Sequence, residues 1–165
     1  MNFRTLAAGL VSTLLIAVFS TSAVMAQEGG RKIKLSGNVA EGIMPRVSID
    51  EIEALGLTHV YSDNPYEDGA MNYSGVMLDV FVEAFGGENV QKVIGTAIDD
   101  YSAEWTREEW ETLPVMLVTQ VEGERISFAQ RGPMRIVYTE FDPTVKAYQD
   151  VIAKWVWMIV SIEFE

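Results

Sequence analysis

Asp99, Asp100, Tyr101 and Ser102 stand in a row directly behind the apolar run Val93-Ile94-Gly95-Thr96-Ala97-Ile98. A chain leaving a sheet at such a point can line a cleft. A carboxylate there can accept two parallel hydrogen bonds from the ring N–H and exocyclic NH₂ of an aminopyrimidine. Tyr101 adds a flat face and a hydroxyl, and Ser102 a small donor and acceptor. The two aspartates equally suit an Asx turn with solvated carboxylates. Paired carboxylates can also do acid–base work, but nothing nearby supplies a nucleophile or a proton donor for a leaving group.

Two further stretches carry polar chemistry beside apolar elements. Gly132-Pro133 turns the chain tightly next to a following strand, so Arg131 and Arg135 emerge near its start. Arginine at such a corner binds an anion or the carbonyl edge of a heterocycle, or else an internal carboxylate. Near the C-terminus, Lys154-Trp155-Val156-Trp157 holds two of the four tryptophans, two residues apart. On an extended strand both indoles share one face and Lys154 points the other way. Such a pair either packs in a core or lies against a flat ligand.

The elements that must position these residues can be read from their patterning. "IKLSGNV" and "THVYS" predict strands, and Ser48 with Glu51 forms a capping box that opens a short helix stopped by Gly56. "DNPYEDG" is turn chemistry throughout. "MLDVFVEAF" has helical apolar spacing and runs into Gly86-Gly87, a natural C-cap. "NVQKVIGTAI" predicts a strand, and Thr106 with Glu109 a second capping box opening a helix to Thr112. "VMLVTQ" and "RISFA" predict a hairpin through "VEGE", "RGPMRIVY" another strand, and Asp142-Pro143 a helix start. A last strand is expected from near Trp155 to Phe164. Strands with a few short helices and no repeat predict a single α+β domain built on a mixed sheet.

Composition narrows the function. Arg4, the apolar stretch Leu6 to Phe19 and the small residues up to Ala26 read as a secretory signal peptide (residues 1–26), too short to span a membrane. The expected mature domain is residues 27–165, which opens on a polar leader and is destined for the periplasm. Of 12 basic and 24 acidic residues, only Arg4 lies in the leader peptide, leaving 11 and 24 and a net charge of −13. Without a basic stripe, nucleic acid is excluded as a partner class. There is no cysteine, so no disulfide, thiolate ligand or cysteine nucleophile exists. His59, the one histidine, reads as a structural strand residue.

Together, "DDYSAEWTREEW", "PVMLVTQVEGERISFAQRGPMRIVY" and "KWVWMIVSIEF" resemble, in order and spacing, the oxidoreductase molybdopterin-binding domain of the sulfite oxidase superfamily. The resemblance runs from about "IKLSGN" to the C-terminus and is strongest after Asp99. It implies that fold and a pterin pocket. It also implies that Tyr101 and Lys154 match the family's cofactor-side tyrosine and lysine, while Asp100, Ser102, Arg131 and Trp155 match by neighbourhood. On this basis Trp155 is the expected pocket residue and Trp157 the expected core residue, with Asp99 or Asp100 facing the aminopyrimidine. The family's enzymes hold molybdenum through a cysteine thiolate that this chain lacks, which argues against bound molybdenum. The chain is similar to stand-alone secreted members, some of which bind pterin and act on a membrane-bound cyclic-dinucleotide enzyme. The implied function is therefore a non-catalytic periplasmic pterin-binding protein, with no membrane insertion of its own. Its implied partner is the periplasmic domain of such an inner-membrane enzyme. A molybdenum-cofactor oxidoreductase using another ligand, and an interaction domain with a vestigial pocket, are the alternatives.

Overall fold

A computed structural model describes residues 31–165. The expected signal peptide, and the leader as far as Gly30, lie outside the described residues. The chain forms ten strands and four α-helices in this range, with 3-10 turns at Phe128–Gln130 and Ile152–Lys154.

The first sheet has the order β2-β1-β10-β5-β6, built from β1 (Lys32–Gly37), β2 (Arg46–Ser48), β5 (Lys92–Ala97), β6 (Ser102–Thr106) and β10 (Ile159–Phe164). Only the β1–β10 pair is parallel. In β1 the alternation buries Ile33 and Leu35 and leaves Lys32 and Lys34 outside, the period-two pattern of a half-buried strand. The second sheet is antiparallel: β3 (Thr58–Ser62), β4 (Met71–Met77) and β7 (Val115–Val121) lie side by side. Both β8 (Glu124–Arg125) and β9 (Arg135–Tyr138) pair with the far side of β7. The class is α+β, as the sequence predicts, with the strands divided between two sheets that share one core.

Helices close the ends of that core. Ser48 Oγ accepts from the Glu51 N–H at 3.2 Å and Glu51 returns the bond to the Ser48 N–H at 2.7 Å, opening α1 (Ile49–Glu53). In α2 (Leu78–Phe85) the face Leu78, Phe81, Val82 and Phe85 is buried, with Phe81 stacked 5.9 Å from Phe164 of β10. Gly86 ends this helix in an extended conformation rather than the left-handed one. Glycine is needed there because a Cβ would lie 2.7 Å from the Val82 carbonyl oxygen.

Three expectations need correction, and one strand was missed. The stretch after Asp142-Pro143 is an Asx turn, Asp142 accepting from the Thr144 N–H at 2.8 Å, and the helix α4 starts only at Lys146 (Lys146–Asp150). β8 spans just two residues, because Ser127 caps the following 3-10 turn instead of continuing the hairpin. β4 was not legible, since Asn72, Ser74 and Gly75 dilute its alternation. Finally, Trp155 and Trp157 precede the last strand, which begins at Ile159. The Lys154 and Trp155 N–H groups close back on Val151 and Ile152, and Met158 sits at φ +57. The chain therefore kinks between sheets: the Val156 carbonyl accepts from Ile136 of β9 at 2.8 Å, while Ile159 registers with Ala97 of β5.

Candidate functional site

This crossing from one sheet to the other gathers three loops. The turn Ile98 to Tyr101 joins β5 to β6. The corner Arg131 to Met134 leads from the 3-10 turn into β9, and the third segment is residues 152–158. Met158 ties them together, its N–H donating to the Arg131 carbonyl at 3.2 Å and its carbonyl accepting from Ile98 at 3.1 Å. Three of the five non-glycine residues with positive φ among those described are Asp100, Arg131 and Met158. A left-handed methionine is unfavourable, and such conformations persist where surrounding bonds over-determine them and gather at functional sites. At the corner, a Cβ on Gly132 would fall 2.0 Å from the Ile126 carbonyl oxygen, so only glycine fits.

Between the loops lies a cleft of about 420 Å³. Its walls carry Tyr66, Tyr101, Trp155 and Trp157, with Asp99 and Arg131 as the charged groups. Two phenol hydroxyls brace one wall at adjacent carbonyls: Tyr66 donates to the Ile152 carbonyl at 3.0 Å and Tyr101 to the Ala153 carbonyl at 2.6 Å. Both rings stay about half exposed, at 54% and 49%, so each offers a free face held in a fixed orientation. A second cleft of about 480 Å³ adjoins the first and shares Tyr66, Arg131 and Trp157 with it.

Both indoles reach the cleft, whereas only Trp155 was expected there. Trp155 is 5% exposed, with its ring 5.9 Å from Tyr138 and 5.3 Å from Phe141, so most of it is core and only an edge reaches the cleft. Trp157 is not a core residue: it is partly buried and walls both clefts. The Arg131 and Arg135 guanidiniums lie 4.9 and 4.5 Å from its ring centroid, and Tyr66 meets it edge-on at 6.1 Å. The indole N–H of each tryptophan, and Nε of Arg135, are buried without a partner. Unpaired buried donors cost free energy, and native structures tolerate few of them away from sites that use them.

The other expected site residues divide. Asp99 lines the cleft, with Oδ1 accepting the Tyr101 N–H at 3.2 Å in an Asx turn. Asp100 sits exposed at the tip of that turn at φ +67, and Ser102 opens β6 with its side chain exposed; neither is among the lining residues. Arg131 forms no ion pair among the described residues, whereas Arg135 binds Glu67 at 3.1 Å and the Gln130 carbonyl at 2.5 Å. Lys154 turns away from the cleft to Glu109 at 2.5 Å. Glu109 also accepts from the Tyr138 hydroxyl at 2.9 Å, and that hydroxyl accepts from the Trp105 indole at 3.0 Å. This explains why the second capping box is only half formed: Thr106 caps α3 (Arg107–Thr112), but the Glu109 carboxylate is engaged elsewhere. Tyr66, Ile98 and Met158 are lining residues that sequence reasoning missed. The signal for Tyr66 was an aromatic inside pure turn chemistry.

Two buried phenols flank the site. Burial, with Glu67 nearby, pushes the Tyr73 hydroxyl up to about 12, and burial, with Glu109 nearby, raises Tyr138 well above the ordinary tyrosine value. Both values lie above that of the unfolded chain, so the stabilisation is complete below about pH 10; the part from Tyr73 is lost as pH climbs to about 12, and the part from Tyr138 continues to fall at higher pH. An ultraviolet titration should find these two tyrosines un-ionised at pH 11 in the folded protein, with unfolding accompanying their ionisation.

No protein-family model and no curated protein matches the chain. Among solved structures it is similar to the sulfane dehydrogenase SoxCD from Paracoccus pantotrophus, with a TM-score of 0.60 and 14% sequence identity. The match covers 86% of this chain and 40% of that one, so the chain spans well under half of its neighbour's length. The likeness is one of fold: a sulfite-oxidase-like α+β domain.

Proposed function

We propose that this protein is a non-catalytic pterin-binding protein of the periplasm that reports ligand status to a membrane-bound signalling partner. One observation carries the binding part: four aromatic side chains converge on one cleft with a carboxylate and an unpaired guanidinium at its edge. A pterin is flat, with π-faces for Trp157 and the tyrosines. Its NH₂-bearing edge suits Asp99, and its carbonyl edge suits Arg131. Ligand sites generally combine an apolar, aromatic lining with few polar groups in this way.

The structural neighbour is a dehydrogenase, so molybdenum chemistry is the competing reading. The donors around the cleft are phenols, indoles, a guanidinium and one carboxylate, and the sequence has no cysteine to supply a thiolate. That set does not fit a molybdenum centre held as in the family the sequence resembles. Purification of the exported protein separates the two readings. Pterin fluorescence released on denaturation, without stoichiometric molybdenum, is the expected result. Stoichiometric molybdenum would instead support an oxidoreductase, and neither pterin nor metal would favour an interaction domain.

A further inference from the structure

Among the described residues, the second sheet ends in a strand, β3, with no further pairing partner. β3 pairs with β4 through five consecutive registers, from Thr58 opposite Gly75 to Ser62 opposite Met71, and has no partner on its other edge among the described residues. Exposed edges normally carry protection in the form of lysine, proline, a bulge or extreme shortness. β2 is three residues long, follows Pro45 and opens with Arg46. β6 carries Glu104 in an ion pair with Lys92. β3, Thr-His-Val-Tyr-Ser, has none of these devices and consists largely of good strand formers.

Charge indicates what could pair there. Residues 47–91 contain nine acidic residues and no lysine or arginine, and β3 lies within this stretch; Asp50 and Glu53 are paired with Arg125 and Glu67 with Arg135, which leaves six, Asp63 directly after β3 among them. On the outward face, His59 and Tyr61 are exposed, Tyr61 to 71%, beside a groove of about 380 Å³ that also touches Glu122. A second copy of the chain would bring the same acidic stretch against itself, at a net charge of −13 per mature domain.

We propose that the free edge of β3 is a docking site for an extended, Lys- or Arg-bearing segment of another protein, added as a further strand of the second sheet. Main-chain bonds to β3 supply the affinity, Asp63 beside the strand and Glu122 at the groove favour a basic segment, and alternate side chains of the incoming strand enter the groove beside Tyr61. β3 runs directly into the loop that carries Tyr66, so the docked strand lies one loop away from the aromatic cleft. Docking does not depend on what that cleft holds.

The test is selection of displayed random peptides on the folded protein without pterin, followed by nuclear magnetic resonance with a synthesised winner. The expected winners alternate Lys or Arg with β-branched residues and shift the amide signals of Thr58–Ser62. They should bind Tyr61→Lys at least about tenfold more weakly. Tyr61 is exposed, so this lysine leaves the fold intact, which the spectrum itself verifies. The proposal is overturned if no peptide is enriched or the winners lack basic residues. It is equally overturned if winners map elsewhere or bind Tyr61→Lys unchanged, or if the protein dimerises through β3 in a way that Tyr61→Lys disperses.

Discussion

Arg135→Ala is expected to lose about 3–5 kcal/mol of folding stability, the cost of stranding one member of a buried ion pair. The Arg135 side chain is only 6% exposed and that of Glu67 21%. Removing the guanidinium takes away the Glu67 bond, the bond to the Gln130 carbonyl and the contact with Trp157. It leaves the Glu67 carboxylate with only Asn64 and the Tyr73 hydroxyl, at 2.9 and 3.2 Å. Two companion variants identify the cause. Arg135→Lys should recover little, because an ammonium cannot serve both partners and the indole face together. Pairing Arg135→Met with Glu67→Gln should recover much of the loss, because no charge is then left buried. Urea unfolding of the wild type and these three variants reads this directly. Equal losses for Arg135→Ala and the double variant would show that lost packing, not the stranded carboxylate, dominates.

The second large effect separates the two tryptophans. Trp157→Ala should weaken pterin binding by roughly 1–3 kcal/mol, on the scale of a heterocycle losing its stacking partner. That corresponds to about five- to 150-fold in Kd. Trp155→Ala should instead lower stability by about 3–5 kcal/mol, the usual cost of emptying a buried aromatic site. Its ring is packed against Tyr138 and Phe141, and only its edge reaches the cleft. Trp157→Phe keeps an aromatic face for the ligand and for both arginines, so it should retain most of the affinity. Asp99→Asn should cost about 1.5–3 kcal/mol in binding if its carboxylate pairs with the NH₂ edge, whereas Asp100→Asn at the turn tip should bind as the wild type does. Calorimetric titration on variants with verified folds checks the set.

These assignments show how far the sequence could be read. Asp99, Tyr101 and Arg131 were legible as cleft residues because each sits in a turn next to an apolar strand, where a chain leaves or enters a sheet. The class of the fold was legible from alternation and capping. Trp155 and Trp157 were told apart by resemblance; Trp155 does reach the cleft, by an edge, but Trp157 is not in the core, because their segment is not a strand whose alternation would fix their faces. A 3-10 turn bonded back to Val151 and Ile152, followed by the left-handed Met158, rotates the pair out of strand register. Lys154 was placed at the cofactor by resemblance. Its actual partner, Glu109, lies 45 residues away in sequence on a different element. Long-range electrostatic choices of this kind leave no local trace. Tyr66 was hidden for a related reason: its role depends on a hydroxyl reaching the Ile152 carbonyl, 86 residues further along the chain.

Pterin binding is tested most directly by calorimetric titration of the purified, folded protein with pterin in its oxidised and dihydro forms, alongside Trp157→Ala. Saturable one-to-one binding of at least one form is predicted, weakened by the factor given above in the variant, whose fold is verified by circular dichroism before titration. Absence of binding for both forms, or binding that Trp157→Ala leaves unchanged, would contradict a pterin site in the aromatic cleft.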